Sequence, residues 1–349
     1  MRNVWTKVGL VLAICVSPIT VASTVEPAPS PDMAKARAQA QAWQSRIVQL
    51  LTEQGSADTL TTAALMLPES VTLYDGSLTE PQRKAAANKL DTRRLQLLDR
   101  AGVLAPDAAD IATLALQVCT RVAGCDVAEH AEHLHQAAPD DAGYLMPALA
   151  DARSRQDKDE VSSILQSMAD AATFKTWYPA LRQRVQRGIA AIAVPASPAP
   201  IPAEFSQRHP DVDAATMAAI TAGSMMFAVA GMPEYGTLVQ ACKEDGVQFS
   251  ARQQACRRIG KMLSHDHSLI GVRIGLVLWR QSALDPADLK AATDTDRTLD
   301  WQQESWTQLM LRDKVDPLES YQETLDNGGE IPGVIALLKK HGVATQPPA

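Results

Sequence analysis

Apolar residues recur at the spacing of an α-helix along most of this chain, and this periodicity limits the possible folds more than any other feature. Within residues 33–54, for example, Trp43, Ile47 and Leu51 follow one another four positions apart, which places them on one face of a helix. The alternation typical of a strand occurs only at 71–73, a run too short to found a sheet. The sequence therefore predicts an all-α protein.

The amino-acid composition favours closely packed helices. Hydrophobic residues make up 46% of the chain, but aromatic residues only 4%, and alanine is abundant. Alanine has the highest helix propensity, and small side chains let helix axes approach each other. Residues 268–281 form a predicted apolar helix in which Gly271 and Gly275 offer a small face for such packing. The almost uncharged run 214–232 is only mildly hydrophobic, which indicates a buried core helix rather than a membrane span.

The first 23 residues have the pattern of a secretory signal peptide. A positively charged start is followed by an apolar stretch at 8–15, too short to cross a bilayer, and then by small residues. The pattern predicts a periplasmic or secreted protein. Cys15 raises the alternative of a lipoprotein, but Ile14 stands where lipoprotein processing requires a small residue. The interpretation is therefore a cleaved signal without a lipid anchor.

The charge balance excludes several classes of partner. The net charge is −7, and it becomes about −9 if Arg2 and Lys7 are removed with the signal. An acidic chain without a basic stripe is a poor ligand for nucleic acid or an anionic membrane surface. No phosphate-binding loop or dinucleotide fingerprint occurs, so no cofactor is predicted. No integral membrane span is expected after signal removal.

A proline-rich stretch divides the helical part of the chain. Four prolines at 191–203 are incompatible with a continuous helix and favour an extended linker. The predicted organisation is a signal peptide at 1–23, a proline-rich spacer at 24–32, an N-terminal helical region at 33–190, the linker at 191–203, a C-terminal helical region at 204–343 and a tail at 344–349. We expect the tail to fray.

The cysteines outside the signal are even in number, as expected of a disulfide-bonded protein in an oxidising compartment. Of the three possible pairings, we favour the local one, Cys119 with Cys125 and Cys242 with Cys256, because each pair then lies within one predicted region. Redox or metal chemistry usually uses the tighter Cys-x-x-Cys spacing, which is absent.

Residues 143–169 resemble a tetratricopeptide repeat, a helical hairpin. Tyr144 stands at the aromatic position of its first helix and Ala148 at the small position, while 155–157 fall at the turn. A second hairpin of similar pattern precedes it at 107–136. The resemblance implies a short solenoid of stacked hairpins, followed by a second helical region, that binds a protein or peptide along its concave face.

One group of histidines has metal-ligating chemistry. Glu129, His130 and His133 lie on one predicted helix, and imidazole with carboxylate suits zinc or copper. With His135 they raise the possibility of a periplasmic protein that binds, stores or senses metal. A solvated, charged helix face explains the same residues, and the His-Glu-x-x-His pattern is absent.

His265 and His267 form a second group, and either this group or the pair His130 and His133 raises the alternative of a hydrolytic or metal-dependent enzyme. The Gly-x-Ser-x-Gly elbow is absent, and a turn between helices capped by Asp266 or Ser268 is the simpler interpretation. No catalytic residue is predicted. The sequence therefore favours an exported helical scaffold for an unidentified protein or peptide partner, with an enzyme or a metal-binding protein as alternatives.

Overall fold

A computed structural model defines the architecture of the chain. The described residues are 31–67, 78–196, 212–230, 235–243, 251–312 and 315–348. They contain fifteen α-helices, one 3₁₀ helix and no strand, apart from a single isolated bridge between Asp141 and Thr173. The prediction of an all-α protein is confirmed. The predicted signal, the run 71–73 and most of the linker lie outside the described residues.

The helices are numbered in chain order. The first eight are α1 (Pro31–Gln54), α2 (Ala57–Met66), α3 (Glu80–Leu104), α4 (Ala109–Cys119), α5 (Val127–Ala137), α6 (Met146–Ser154), α7 (Lys158–Asp170) and α8 (Tyr178–Ala190), with the 3₁₀ helix (Ala142–Leu145) directly before α6. The others are α9 (Ala214–Ala230), α10 (Tyr235–Lys243), α11 (Ala251–Leu263), α12 (Leu269–Gln281), α13 (Pro286–Leu311), α14 (Pro317–Asp326) and α15 (Glu330–Lys340).

Helix starts follow the capping residues of the sequence. Before α3, the backbone N–H of Thr79 donates to Oε1 of Gln82 at 2.9 Å, as in a capping box. Before α13, Oδ1 of Asp285 accepts from the backbone N–H of Asp288 at 2.8 Å, and Pro286 occupies the first helical position. Each cap satisfies a backbone donor that a helix leaves unpaired, which is why the boundary lies at that residue.

Two hydrophobic cores join the parts of the chain that flank the linker. The larger core packs α1, α2, α3, α4 and α8 against α9, so that Leu114 and Met226 belong to one buried cluster. The second packs α6 and α7 against α10 and α11, with Leu165 and Ile259 among its buried members. The predicted N-terminal and C-terminal regions are therefore packed against each other, and the boundary between them at 191–203 stays a prediction.

The run 214–232, interpreted as a core helix, contributes α9. Ala218, Ala222 and Met226 are fully buried, at the four-residue spacing of one helix face. Within the part of the chain that the structure describes, no helix combines the length and the apolar character that crossing a membrane requires.

Both cysteine pairs favoured by the sequence are at disulfide distance. Cys119 and Cys125, with Cα atoms 5.6 Å apart, connect the end of α4 to the turn before α5. Cys242 and Cys256, with Cα atoms 5.8 Å apart, connect α10 to α11. Each pair fixes the relative position of two consecutive helices.

The start of the C-terminal tail is bound to α13. Nε1 of Trp301 donates to the carbonyl oxygen of Ala344 at 2.8 Å, and Nε2 of Gln302 donates to that of Thr345 at 3.0 Å. These two bonds oppose fraying of residues 344 and 345, and the frayed tail stays a prediction.

Asp288, near the start of α13, holds three elements together. Its carboxylate accepts hydrogen bonds from Arg257 at 2.5 Å and from Nε1 of Trp279 at 2.9 Å, and it pairs with Lys261 at 2.9 Å. The Arg257 hydrogen bond is the main cause of a pKa for Asp288 far below its ordinary value; burial opposes this shift, while Trp279 and Lys261 add to it.

We expect acid to destabilise the protein partly through Asp288. Because its pKa is lower in the folded than in the unfolded chain, its stabilisation is complete above the unfolded value of about 3.9 and is lost as pH falls toward the folded value. Asp288→Asn should lower the free energy of unfolding at pH 7 and make it less dependent on pH below about 5. Urea titrations from pH 7 to 3 measure this. Asp326→Asn, at an exposed aspartate, is the control, and an equal pH response in the two variants would contradict the assignment.

Candidate functional site

A cleft of about 880 Å³ opens between α4, α5, the 3₁₀ helix with α6, and the segment 174–177. Its lining is mostly apolar and includes Leu116, Tyr144, Met146 and Phe174. Volumes of this size are typical of ligand sites, and apolar walls with a few polar groups are their usual chemistry.

The cleft exists because two amphipathic helices present their apolar faces to one space. On α5, Val127, Ala131 and Leu134 recur at intervals of four and three residues, so they lie on the same face. Leu134 is buried in a small cluster with Leu116 of α4. Packing between α4 and α5 therefore holds this wall of the cleft in place.

Asp141 fixes the opposite wall and was missed by the sequence analysis. Its buried carboxylate accepts from the backbone N–H groups of Gly143 and Lys175, both at 2.9 Å, and from the hydroxyl of Thr173 at 3.0 Å. Burial raises the pKa of Asp141, and the three hydrogen bonds only partly oppose this. In the sequence, an aspartate two residues before a glycine indicates an Asx-turn. The hydrogen bonds of Asp141 with Thr173 and Lys175 depend on tertiary structure.

Trp177 lies at the cleft with a strained backbone. Its φ of 59° is in the left-handed region, which costs a bulky residue about 1–3 kcal/mol. Nζ of Lys175 lies 5.3 Å from the centroid of the Trp177 ring, within range of a cation–π interaction. Strain of this kind is concentrated at ligand sites, where surrounding structure maintains it.

Four residues that line the cleft carry buried polar atoms without a hydrogen-bond partner among the described residues. These atoms are Thr113 Oγ1, Thr176 Oγ1, Trp177 Nε1 and the Tyr235 hydroxyl oxygen. An unpaired buried polar group costs about 1–3 kcal/mol. Burial, followed by the charge of Asp266, raises the pKa of Tyr235, so its hydroxyl remains a donor. A ligand that offers hydrogen-bonding groups would recover part of this energy after small side-chain rotations.

The predicted metal-ligating histidines on α5 remain neighbours, since the ring centroids of His130 and His133 are 6.0 Å apart, but the residues of the group differ in burial. Glu129 and His133 are exposed, whereas the side chain of His130 is only 13% exposed, with Nε2 3.9 Å from Oδ1 of Asp99 on α3. Burial raises the pKa of Asp99; His130 and His133 oppose the shift, and Glu129 adds to it. His135 packs away from His130, with its ring centroid 4.2 Å from that of Tyr144.

The structure instead places His130 beside a cysteine pair. Ligand atoms of Cys119, Cys125 and His130 all lie within 4.8 Å of one another. Within the described ranges, this is the one group of three or more cysteine, histidine or carboxylate residues that is close enough to share a metal ion. No sequence pattern connects the three residues, because the cysteines are predicted to form a disulfide and His130 to lie on a helix face.

His265 and His267 lie exposed in the turn between α11 and α12. Nδ1 of His265 is 2.7 Å from the carbonyl oxygen of Lys261, and Nδ1 of His267 is 3.2 Å from that of Gly328. Asp266 accepts from the hydroxyl of Ser268 at 2.5 Å, and Ser268 caps α12. These contacts are those of the capped turn that the sequence indicates as the simpler interpretation.

Comparison with known proteins adds no relative. No protein-family description matches the chain, and neither a curated protein nor a solved structure is significantly similar to it. The functional argument therefore depends on the residues of this chain.

Proposed function

We propose that this chain is an exported helical scaffold whose cleft binds an extended segment of a protein or peptide partner. The observation that carries the proposal is the apolar cleft of about 880 Å³ between α4, α5 and α6, four of whose lining residues carry buried, unpaired polar atoms. Apolar walls would take the partner's side chains, and the polar atoms would pair with its backbone.

The resemblance to tetratricopeptide repeats is part of the same proposal. The helices α4 with α5 and α6 with α7 are two consecutive hairpins, and the turn at 155–157 lies between α6 and α7. Val161 and Met168 of α7 are buried, as the second helix of such a hairpin requires. In this proposal the hairpins form a short repeat-like unit whose concave side is the cleft.

The compartment is part of the same proposal. Two disulfide-distance pairs suit an oxidising environment, and the predicted signal at 1–23 would direct the chain there. We propose that the protein acts in a periplasm or outside the cell.

Closing the cleft should abolish partner binding without unfolding the protein. Ala128 and Ala148 line the cleft and are exposed, so an arginine at either position places a bulky charge in the apolar groove without disturbing the core. We expect Ala128→Arg and Ala148→Arg each to weaken peptide binding at least about tenfold, or 1.4 kcal/mol. Peptides are first selected from a displayed random library on the wild-type chain, and their affinities are then measured by fluorescence anisotropy.

Ala85→Arg is the matched control, because Ala85 is an exposed alanine of α3 away from the cleft. It should bind the selected peptides like wild type, and all three variants should keep the wild-type circular dichroism. If no peptide is selected above background, or if the cleft variants bind as well as Ala85→Arg, the proposed function is wrong. A photoreactive residue at position 148, compared with one at position 85, then identifies the partner in cells.

A further inference from the structure

We propose that Cys119, Cys125 and His130 form a zinc site when the disulfide between the two cysteines is reduced. Two thiolates and an imidazole are three of the four ligands of a tetrahedral zinc centre. Their ligand atoms already lie within 4.8 Å of one another, close to the separations that Zn–S bonds of about 2.3 Å and Zn–N bonds of about 2.0–2.1 Å impose.

The turn that carries the cysteines is held by contacts other than the disulfide. The backbone N–H of Ala123 donates to Oδ1 of Asn88 on α3 at 2.8 Å. Nε of Arg121 donates to Asp91 at 3.1 Å, and its Nη2 donates to the carbonyl oxygen of Val229 on α9 at 2.7 Å. Opening the S–S bond therefore leaves the two sulfurs near each other, and modest χ1 changes bring them to zinc.

The surroundings of His130 also suit a cation. Asp99 Oδ1 lies 3.9 Å from Nε2 of His130 but outside the group of three ligand atoms, so its carboxylate is placed to orient the imidazole from the outer shell.

An external dithiol supplies the electrons and protons that reduce the disulfide between Cys119 and Cys125. A dithiol donates two electrons and two protons, its own sulfurs become a disulfide, the bond between Cys119 and Cys125 breaks, and each sulfur becomes a thiol. Zinc binding then releases the two thiol protons. The oxidised chain offers only His130 from this set, so binding depends on redox state.

Zinc titration of the signal-free chain tests the proposal. The Cys242→Ser/Cys256→Ser background removes the other cysteine pair, and a phosphine reductant avoids adding competing thiols. Competition with a chromophoric chelator should show one zinc per reduced chain and binding at least about tenfold weaker in the oxidised chain. Cobalt in place of zinc should show the thiolate charge-transfer and tetrahedral d–d bands only after reduction. His130→Gln should weaken zinc binding at least about tenfold, since even an outer-shell change costs 10–100-fold.

His265→Gln is the control, an exposed histidine in the turn between α11 and α12, because the ring of His133 contacts that of His130. It should bind zinc like the background protein. The proposal is overturned if His130→Gln and His265→Gln bind zinc equally, if the oxidised chain binds as tightly as the reduced one, or if circular dichroism shows that reduction unfolds the chain. His130→Gln keeps Cys119 and Cys125, so its zinc affinity is compared with that of the background protein in the same reduced state.

Discussion

Replacing Gly275 with alanine is expected to lower the free energy of unfolding by about 3 kcal/mol. A Cβ atom at this position of α12 would lie 2.3 Å from the backbone nitrogen of Ser264 and 2.7 Å from the carbonyl oxygen of Gly260. These atoms belong to the backbone of α11 and its end, so no side-chain rotation removes the clash. The two helices must separate, which costs more than the roughly 1 kcal/mol that alanine contributes through helix propensity.

Gly102→Ala is the matched control. Gly102 also lies within a helix, α3, but no atom lies within 4 Å of a Cβ built there. This change should raise the free energy of unfolding by about 0.5–1 kcal/mol. Urea denaturation followed by circular dichroism measures both variants. Equal effects of the two substitutions would show that α11 and α12 are not packed backbone to backbone.

The close helix pair shows what a sequence pattern can predict. Periodicity predicted the apolar helix at 268–281, and the pair Gly271 and Gly275 predicted a closely packed face. The structure gives the two glycines different roles. A Cβ at Gly275 meets the backbone of the neighbouring helix, whereas one at Gly271 meets the carboxylate of Asp266, which accepts from the capping residue of α12. A local pattern identifies the small residue but not the atom that faces it.

The candidate sites were less predictable, because they join residues that are distant in sequence. Asp141 binds Thr173 and Lys175 across more than thirty positions, and no local pattern indicates this contact. His130 and His133 were paired because residues three apart are neighbours on a helix. In the structure their rings are indeed neighbours, with centroids 6.0 Å apart, but His130 is mostly covered next to Asp99, while His133 is exposed. The orientation of α5 against α3 decides which histidine meets the cysteines.

Arg184 of α8 is the centre of a partly buried charge network that no sequence pattern indicates. Its guanidinium donates to both oxygens of Asp110, at 2.6 and 2.8 Å, and to Asp58 at 2.5 Å. Asp58 also accepts from Arg187 at 2.6 Å. Burial alone would raise the pKa of Asp58, but Arg187 and Arg184 together lower it. Burial by itself would lower the pKa of Arg184, but the carboxylates of Asp110 and Asp58 outweigh burial and raise this pKa.

Arg184→Ala is expected to lower the free energy of unfolding by about 3–5 kcal/mol, because it leaves Asp110 buried without its bidentate partner. The double variant Arg184→Met/Asp110→Leu removes both charges and should recover most of the loss, since apolar replacement of a buried pair is often neutral. The control is Arg258→Ala, whose arginine pairs with Asp170 at the surface and should cost less than about 1 kcal/mol. Urea denaturation at pH 7 measures all three. If the double variant is no more stable than Arg184→Ala, the loss comes from missing side-chain packing rather than from an uncompensated carboxylate, and the electrostatic account of α8 is wrong.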